Sequence, residues 1–159
     1  MRRAVRSCWI DRDPTDSTHV ARAAEDLVRR GDVKSSFFRV DNCAEVKTVG
    51  EMFAVTIVPH PQTIDYLLLP AEAMAGFLFS LAPDPNLHLY LRQRHFELQG
   101  LDDQVHLESF IRLAFGIASV GRFPRGELIH SIRANLIHDV EVMNRCSQHW
   151  QKALAKTTN

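Results

Sequence analysis

The chain reads as an α+β protein, with a small N-terminal α/β portion of about three strands and two helices packed on a helical C-terminal portion of about four helices. Three observations predict this. Up to residue 69, short apolar runs alternate with amphipathic stretches, and from residue 70 onward apolar residues recur at helical spacing. The hydrophobic fraction is 45% over 159 residues, which supplies a sizeable core. That length fits a single domain, 1–159, with 1–69 as its α/β portion and 70–159 as its helical portion.

Ala4–Ile10 is an apolar run that fits a first strand. Asp13-Pro14-Thr15-Asp16 then offers a capping Asp, a Pro at the first helical position and an acid in the first turn. Val20, Ala23, Ala24, Leu27 and Val28 carry that helix, Glu25 and Arg29 pair four apart, and Gly31 stops it. "SSFFRVD" reads as a strand. Asn42 and Glu45 have capping-box spacing and open a short helix that Gly50 ends. "MFAVTIV" is apolar on both faces, as a central strand is. The prediction is therefore β-α-β-α-β through residue 58, broken by "PHPQ".

Pro70–Ala82 predicts one helix. Asp84-Pro85 caps a second, carried by Leu87, Tyr90, Leu91 and Leu98 and stopped by Gly100. Asp102–Val120 predicts a third, with Leu107, Phe110, Ile111, Ala114, Phe115 and Ala118 on its apolar arc. "GRFPRG" reads as a turn, and a long helix follows from about Glu127 to Ala153.

Formal net charge is zero. Residues 1–69 carry ten basic and ten acidic side chains of the 19 and 19, leaving nine of each for 70–159. This balance argues against bulk electrostatic attraction to nucleic acid or to an anionic membrane. Cys8, Cys43 and Cys146 are far apart and form no CxxC, so they read as core filler in a reducing cytoplasm. "MRRAVRSCWID" lacks the apolar run of a signal peptide. The greasiest segment, Tyr66 to Ala82, falls short of the roughly 20 residues of a spanning helix, so no membrane partner is expected.

In "LIHDVEVMNRC", His138 directly precedes Asp139. The pair resembles the metal dyad of HD-type phosphohydrolases, and the resemblance implies His106, His138 and Asp139 as ligands. The chain departs from that pattern: no Asp follows Asp139 to supply the family's last ligand. Helical geometry also separates the pair, because successive residues point 100° apart. Leu128, Ile129, Ile132, Leu136, Val140, Met143 and Trp150 define a buried arc that includes Asp139. His138 falls on the opposite face, with Glu127, His130, Glu141 and Arg145. Two expectations stand side by side for Asp139: a buried polar group meeting His106 or an Arg between packed helices or across a dimer interface, or a residue at the edge of the arc that reaches water.

"WIDRDPTDS" places Asp11-x-Asp13-x-Thr15 after the first candidate strand. This resembles the first motif of HAD-type phosphatases, which implies Asp11 as nucleophile, Asp13 as acid/base and Mg²⁺ between them. Asp41, ending the next strand, could join them. That family's later motifs have no counterpart here, and the plainer reading makes Asp13 a cap and Asp11 a turn residue. Arg92 and Arg94 in "LRQRH", and Arg122 and Arg125 in "GRFPRGE", are candidate nucleic-acid contacts.

No complete catalytic set emerges. The leading expectation is a non-enzymatic cytoplasmic binding or regulatory protein that acts through helical surfaces and needs no cofactor. It would dimerise through Leu136, Val140, Met143 and Trp150 on the long last helix. The alternatives are a metal-dependent phosphohydrolase using the acids after the first strand, and a nucleic-acid-binding accessory protein.

Overall fold

The computed structural model describes residues 16–29, 36–72, 75–100 and 103–156. The expected first strand, Asp11, Asp13, Gly31 and Cys8 lie outside them.

Helix α1 (Ser17–Arg29) begins later than expected, because Asp16 is the residue that caps it. Its Oδ1 accepts the Thr18 N–H at 2.8 Å, and these backbone bonds hold the Asp16 carboxyl below the usual carboxylate range. Strand β1 (Ser36–Phe38) falls within the expected one. Helix α2 (Cys43–Ile57) opens on a reciprocal cap. Asn42 Oδ1 accepts the Glu45 N–H at 3.0 Å, and Glu45 Oε2 accepts the Asp41 N–H at 2.8 Å.

Gly50 does not end α2, and "MFAVTIV" is its second half rather than a strand. Two physical reasons stand behind this correction. The helix is buried on nearly all sides from Val49 to Val55, so its apolar run mimics a central strand. Gly50 sits in mid-helix because the Phe123 ring lies against the backbone there, where any Cβ would overlap it.

Strand β2 (Ile64–Leu68) precedes the helix expected over Pro70–Ala82, and strand β3 (Leu78–Leu81) takes the end of that range instead. Pro70 and Gly76 break that segment, and cross-strand pairing orders its end: Leu78 faces Gln99 and Leu81 faces Phe96. The helix expected over Leu87–Leu98 is a single turn, α3 (Leu89–Arg92), followed by strand β4 (His95–Gln99). Gly100, at φ +74°, ends that strand in a conformation that favours glycine.

Helix α4 (Gln104–Ile117), capped by Asp103, falls within the expected Asp102–Val120 but stops short of its end, where Ser119 and Val120 belong to a strand. "GRFPRG" is no simple turn, since Ser119–Phe123 forms strand β5. The long last helix is three: α5 (Arg125–Asn135), α6 (Val140–Arg145) and α7 (Gln148–Ala155). Asp139 and Ser147 take extended backbone conformations and cap α6 and α7, accepting the N–H groups of Val142 and Trp150. Each restart turns the chain where an unbroken rod would run on.

The strands form a three-stranded sheet of order β1-β4-β3 and a two-stranded sheet of β2 and β5. The α+β class therefore holds, but its α/β and helical parts are not consecutive halves. Among the described residues, one compact unit takes those within 16–37, 65–82 and 96–121, and the other takes those within 38–64, 83–95 and 122–156. In the first, α1 packs on α4. Val20 and Ala24 of α1 meet Leu107, Phe110, Ile111 and Ala114 of α4, joined by Phe37 and Leu98. The i, i+3, i+4, i+7 spacing on α4 makes this face continuous.

The second unit is helical. α2 lies against α3, α5 and α6, and α7 packs on α5. Trp150 is fully buried, and its indole N–H donates to the Val58 carbonyl at 2.8 Å. His88 caps α3 by accepting the Tyr90 N–H at 3.2 Å, which leaves its other ring nitrogen to donate to Glu141 at 3.2 Å.

Because α2 is the central helix of this unit, its cap bears on the whole of it. Asn42→Ala is expected to cost about 1 kcal/mol, read as a lower urea midpoint. Asn42→Asp, which keeps the acceptor, should restore most of that loss.

Candidate functional site

The residues singled out in the sequence do not assemble. Asp139 is a half-buried N-cap whose Oδ1 accepts the Val142 N–H at 3.0 Å, so its charge sits at a helix start rather than on a buried arc. His106 is exposed and pairs within its own turn with Asp103 at 2.5 Å, not with Asp139. The backbone N–H of His106, and its ring, hold the Asp103 carboxyl below the usual range. His138 is exposed in the turn after α5. Among the described residues, no three His, Cys, Asp or Glu side chains gather to hold a metal.

Asp41 is exposed and bonds Arg39 at 3.1 Å. Arg94 lies 4.0 Å over the Tyr90 ring and reaches Glu45 at 3.4 Å, so it braces α2 against the α3 turn. The surface expected for dimerisation is largely internal: Leu136 and Trp150 are buried, and Met143 is half-buried. Val140 is 73% exposed, but the breaks around α6 take it out of any continuous stripe. Burial pushes the Cys146 thiol up, which suits packing rather than nucleophilic chemistry.

Another set of residues does converge. A cleft of about 470 Å³ in the helical unit is lined by α5, α7 and the loop after α2. Helix α5 contributes Arg125, Ile129 and Arg133, four residues apart and so on one face. Helix α7 contributes His149, Lys152 and Ala153, also on one face, and Lys156 follows at its C-cap. His60 and Pro61 complete the wall. No carboxylate lies among these lining residues.

Each element is held in place by identifiable bonds. The Ser147 hydroxyl donates to the Pro59 carbonyl at 2.7 Å while accepting the Trp150 N–H, tying the start of α7 to the loop. Arg125 donates its Nε to the Pro61 carbonyl at 3.1 Å, and its backbone N–H donates to Thr63 Oγ1 at 3.3 Å. Both terminal guanidinium nitrogens of Arg125 are without a partner among the described residues. Arg133 has a different task. It donates to the carbonyls of Ala153, Leu154 and Lys156, latching the C-terminus of α7. The His60 and His149 rings lie 4.1 Å apart, centroid to centroid.

The arrangement gathers four cationic side chains, Arg125, Arg133, Lys152 and Lys156, in one lining. Lys152 and Lys156 have no acidic partner among the described residues, and Arg125 offers a fork of N–H donors. Planar donors and point charges together suit a phosphate or carboxylate. Sequence reasoning named Arg125 but missed the rest. The signal was present as Arg125-x3-Ile129-x3-Arg133 and His149-x2-Lys152-x3-Lys156. On a single rod, however, Arg125 and Lys152 would stand about 40 Å apart. No family model, curated protein or solved structure matches this chain, so the residues of the cleft themselves carry the argument for function.

Proposed function

We propose that this is a cytoplasmic binding protein that holds a phosphate-bearing small molecule in the basic cleft of its C-terminal helices. One observation carries the reading: Arg125, Arg133, Lys152 and Lys156 line one cleft, with no carboxylate among the described lining residues, in a chain whose net charge is zero. Like charges held together cost free energy unless an anion offsets them, and an anion from solution is the simplest partner. The cleft volume lies within the usual range for small-ligand sites.

The division of labour follows from the hydrogen bonds. Arg125, Lys152 and Lys156 meet the ligand, and Arg133 adds charge while it keeps α7 in place. The free thiols of Cys43 and Cys146 suit a reducing compartment.

Isothermal titration with inorganic pyrophosphate, a nucleoside diphosphate and a short single-stranded RNA tests this. Saturable, salt-sensitive binding of the first two is expected. Replacing both Lys152 and Lys156 by Ala should weaken it at least about tenfold, while Arg92→Ala, outside the cleft, changes nothing. Unaltered binding by the double variant, or no phosphate binding at all, would reject the assignment. Preferential RNA binding that needs Arg92 would replace it with a nucleic-acid interface.

A further inference from the structure

Helix α5 has a second cavity on its other flank, about 500 Å³ in volume, whose lining includes Lys47, Glu51, Phe123, Leu128 and Ser131. It is distinct from the basic cleft and rests on independent observations. The first is Glu51, whose side chain is only 5% exposed. It sits in mid-α2 between Gly50 and Met52, among buried apolar residues. A carboxylate there is costly unless its oxygens are matched.

One oxygen is matched. Glu51 Oε1 accepts the Ser131 hydroxyl and lies 3.7 Å from the Lys47 ammonium. Ser131 in turn accepts from the Asn135 amide at 3.2 Å, which orients the hydroxyl toward Glu51. Glu51 Oε2 has no hydrogen-bond partner among the described residues, yet it is not sealed from solvent. Glu51 also lines the cavity, so its carboxylate has an acceptor to spare beside that space.

The second observation is the Phe123 ring. It forms part of the cavity wall and lies against the α2 backbone at Gly50, the residue directly before Glu51. A glycine within a helix costs about 1 kcal/mol relative to alanine. Here, next in sequence to a buried carboxylate, it makes room for an aromatic ring. That pairing is the recognition chemistry of an organic cation. The lining charges agree: Glu51 and Glu127 stand against one ammonium, Lys47, which is itself 59% exposed.

We propose that this cavity binds a small organic cation, a primary ammonium on a compact apolar body. The ammonium donates to Glu51 Oε2, and the body rests against Phe123 and Leu128. Lys47 leans over Glu51 Oε1 and leaves the second oxygen to the ligand.

Benzylamine is a suitable probe, with benzyl alcohol and benzoate as neutral and anionic counterparts. Titration calorimetry on the full chain should show saturable binding of benzylamine, weaker binding of the alcohol and none of benzoate. Glu51→Gln, which keeps the shape and removes the charge, should weaken benzylamine binding about tenfold to a hundredfold. Gly50→Ala should weaken it too, by displacing the ring. In the wild type, amide resonances of Ser131 and Phe123 should shift with benzylamine and not with benzoate, a readout that does not depend on any variant folding. Benzoate binding as well as benzylamine, Glu51→Gln binding unchanged, or still amides in the wild type would each overturn the proposal.

Discussion

Trp150→Ala is expected to destabilise the helical unit by about 3–5 kcal/mol, the usual cost of deleting a fully buried large aromatic side chain. Two effects contribute and two variants separate them. The alanine leaves a cavity where the indole stood and strands the Val58 carbonyl, which now accepts the indole N–H at 2.8 Å. Trp150→Phe fills most of the cavity but supplies no donor. It should cost about 1–3 kcal/mol, the penalty of an unpaired buried acceptor. Urea denaturation followed by far-UV circular dichroism checks both. A loss under 1 kcal/mol for the alanine variant would mean that Trp150 does not anchor α7 as described.

The second large effect belongs to the other unit. Phe110 is 1% exposed and stands at the centre of an aromatic cluster. Its ring meets Phe77 at 5.1 Å and Phe37 at 5.9 Å, both near-perpendicular, and Phe37 in turn meets Phe79 at 5.2 Å. Edge-to-face pairs contribute about 0.5–1.5 kcal/mol each beyond the area they bury. Phe110→Ala should therefore cost about 3–5 kcal/mol, again by urea denaturation. Phe110→Leu retains apolar volume but loses both aromatic edges, and about 1–2 kcal/mol is expected. If leucine proved as damaging as alanine, the geometry of the rings would matter more than the volume they fill.

The sequence was most legible where signals were local. Asn42 with Glu45, and the i, i+3, i+4, i+7 face of α4, reappear as read. Legibility failed where two structures share one signal. The run from Met52 to Val58 is apolar in every direction, a pattern that a buried strand and a buried helix produce equally. Here the upstream cap outweighed the apparent stop at Gly50, whose freedom from a side chain serves Phe123 instead.

The last third failed for the opposite reason. Its apolar arc continues so regularly that Asp139 and Ser147 were absorbed into one helix, although both are good capping residues. With that rod intact, Asp139 looked like a buried charge, and the basic faces of α5 and α7 could not meet. The cleft became visible only once the chain turned at both caps. The acids Asp11 and Asp13 lie outside the described residues, so the phosphatase resemblance stands where the sequence left it.

Helix α5 is a party wall between two rooms of opposite polarity. Arg125, Ile129 and Arg133 look into one, while Glu127, His130 and Ser131 look into the other. The wall is nailed in place by Leu128 and Ile132, which are 2% and 0% exposed. Loosening either nail disturbs both rooms together. Double-mutant cycles should therefore leave those two positions alone, Leu128 included although it also lines the second room, and work from the other side chains that furnish each one.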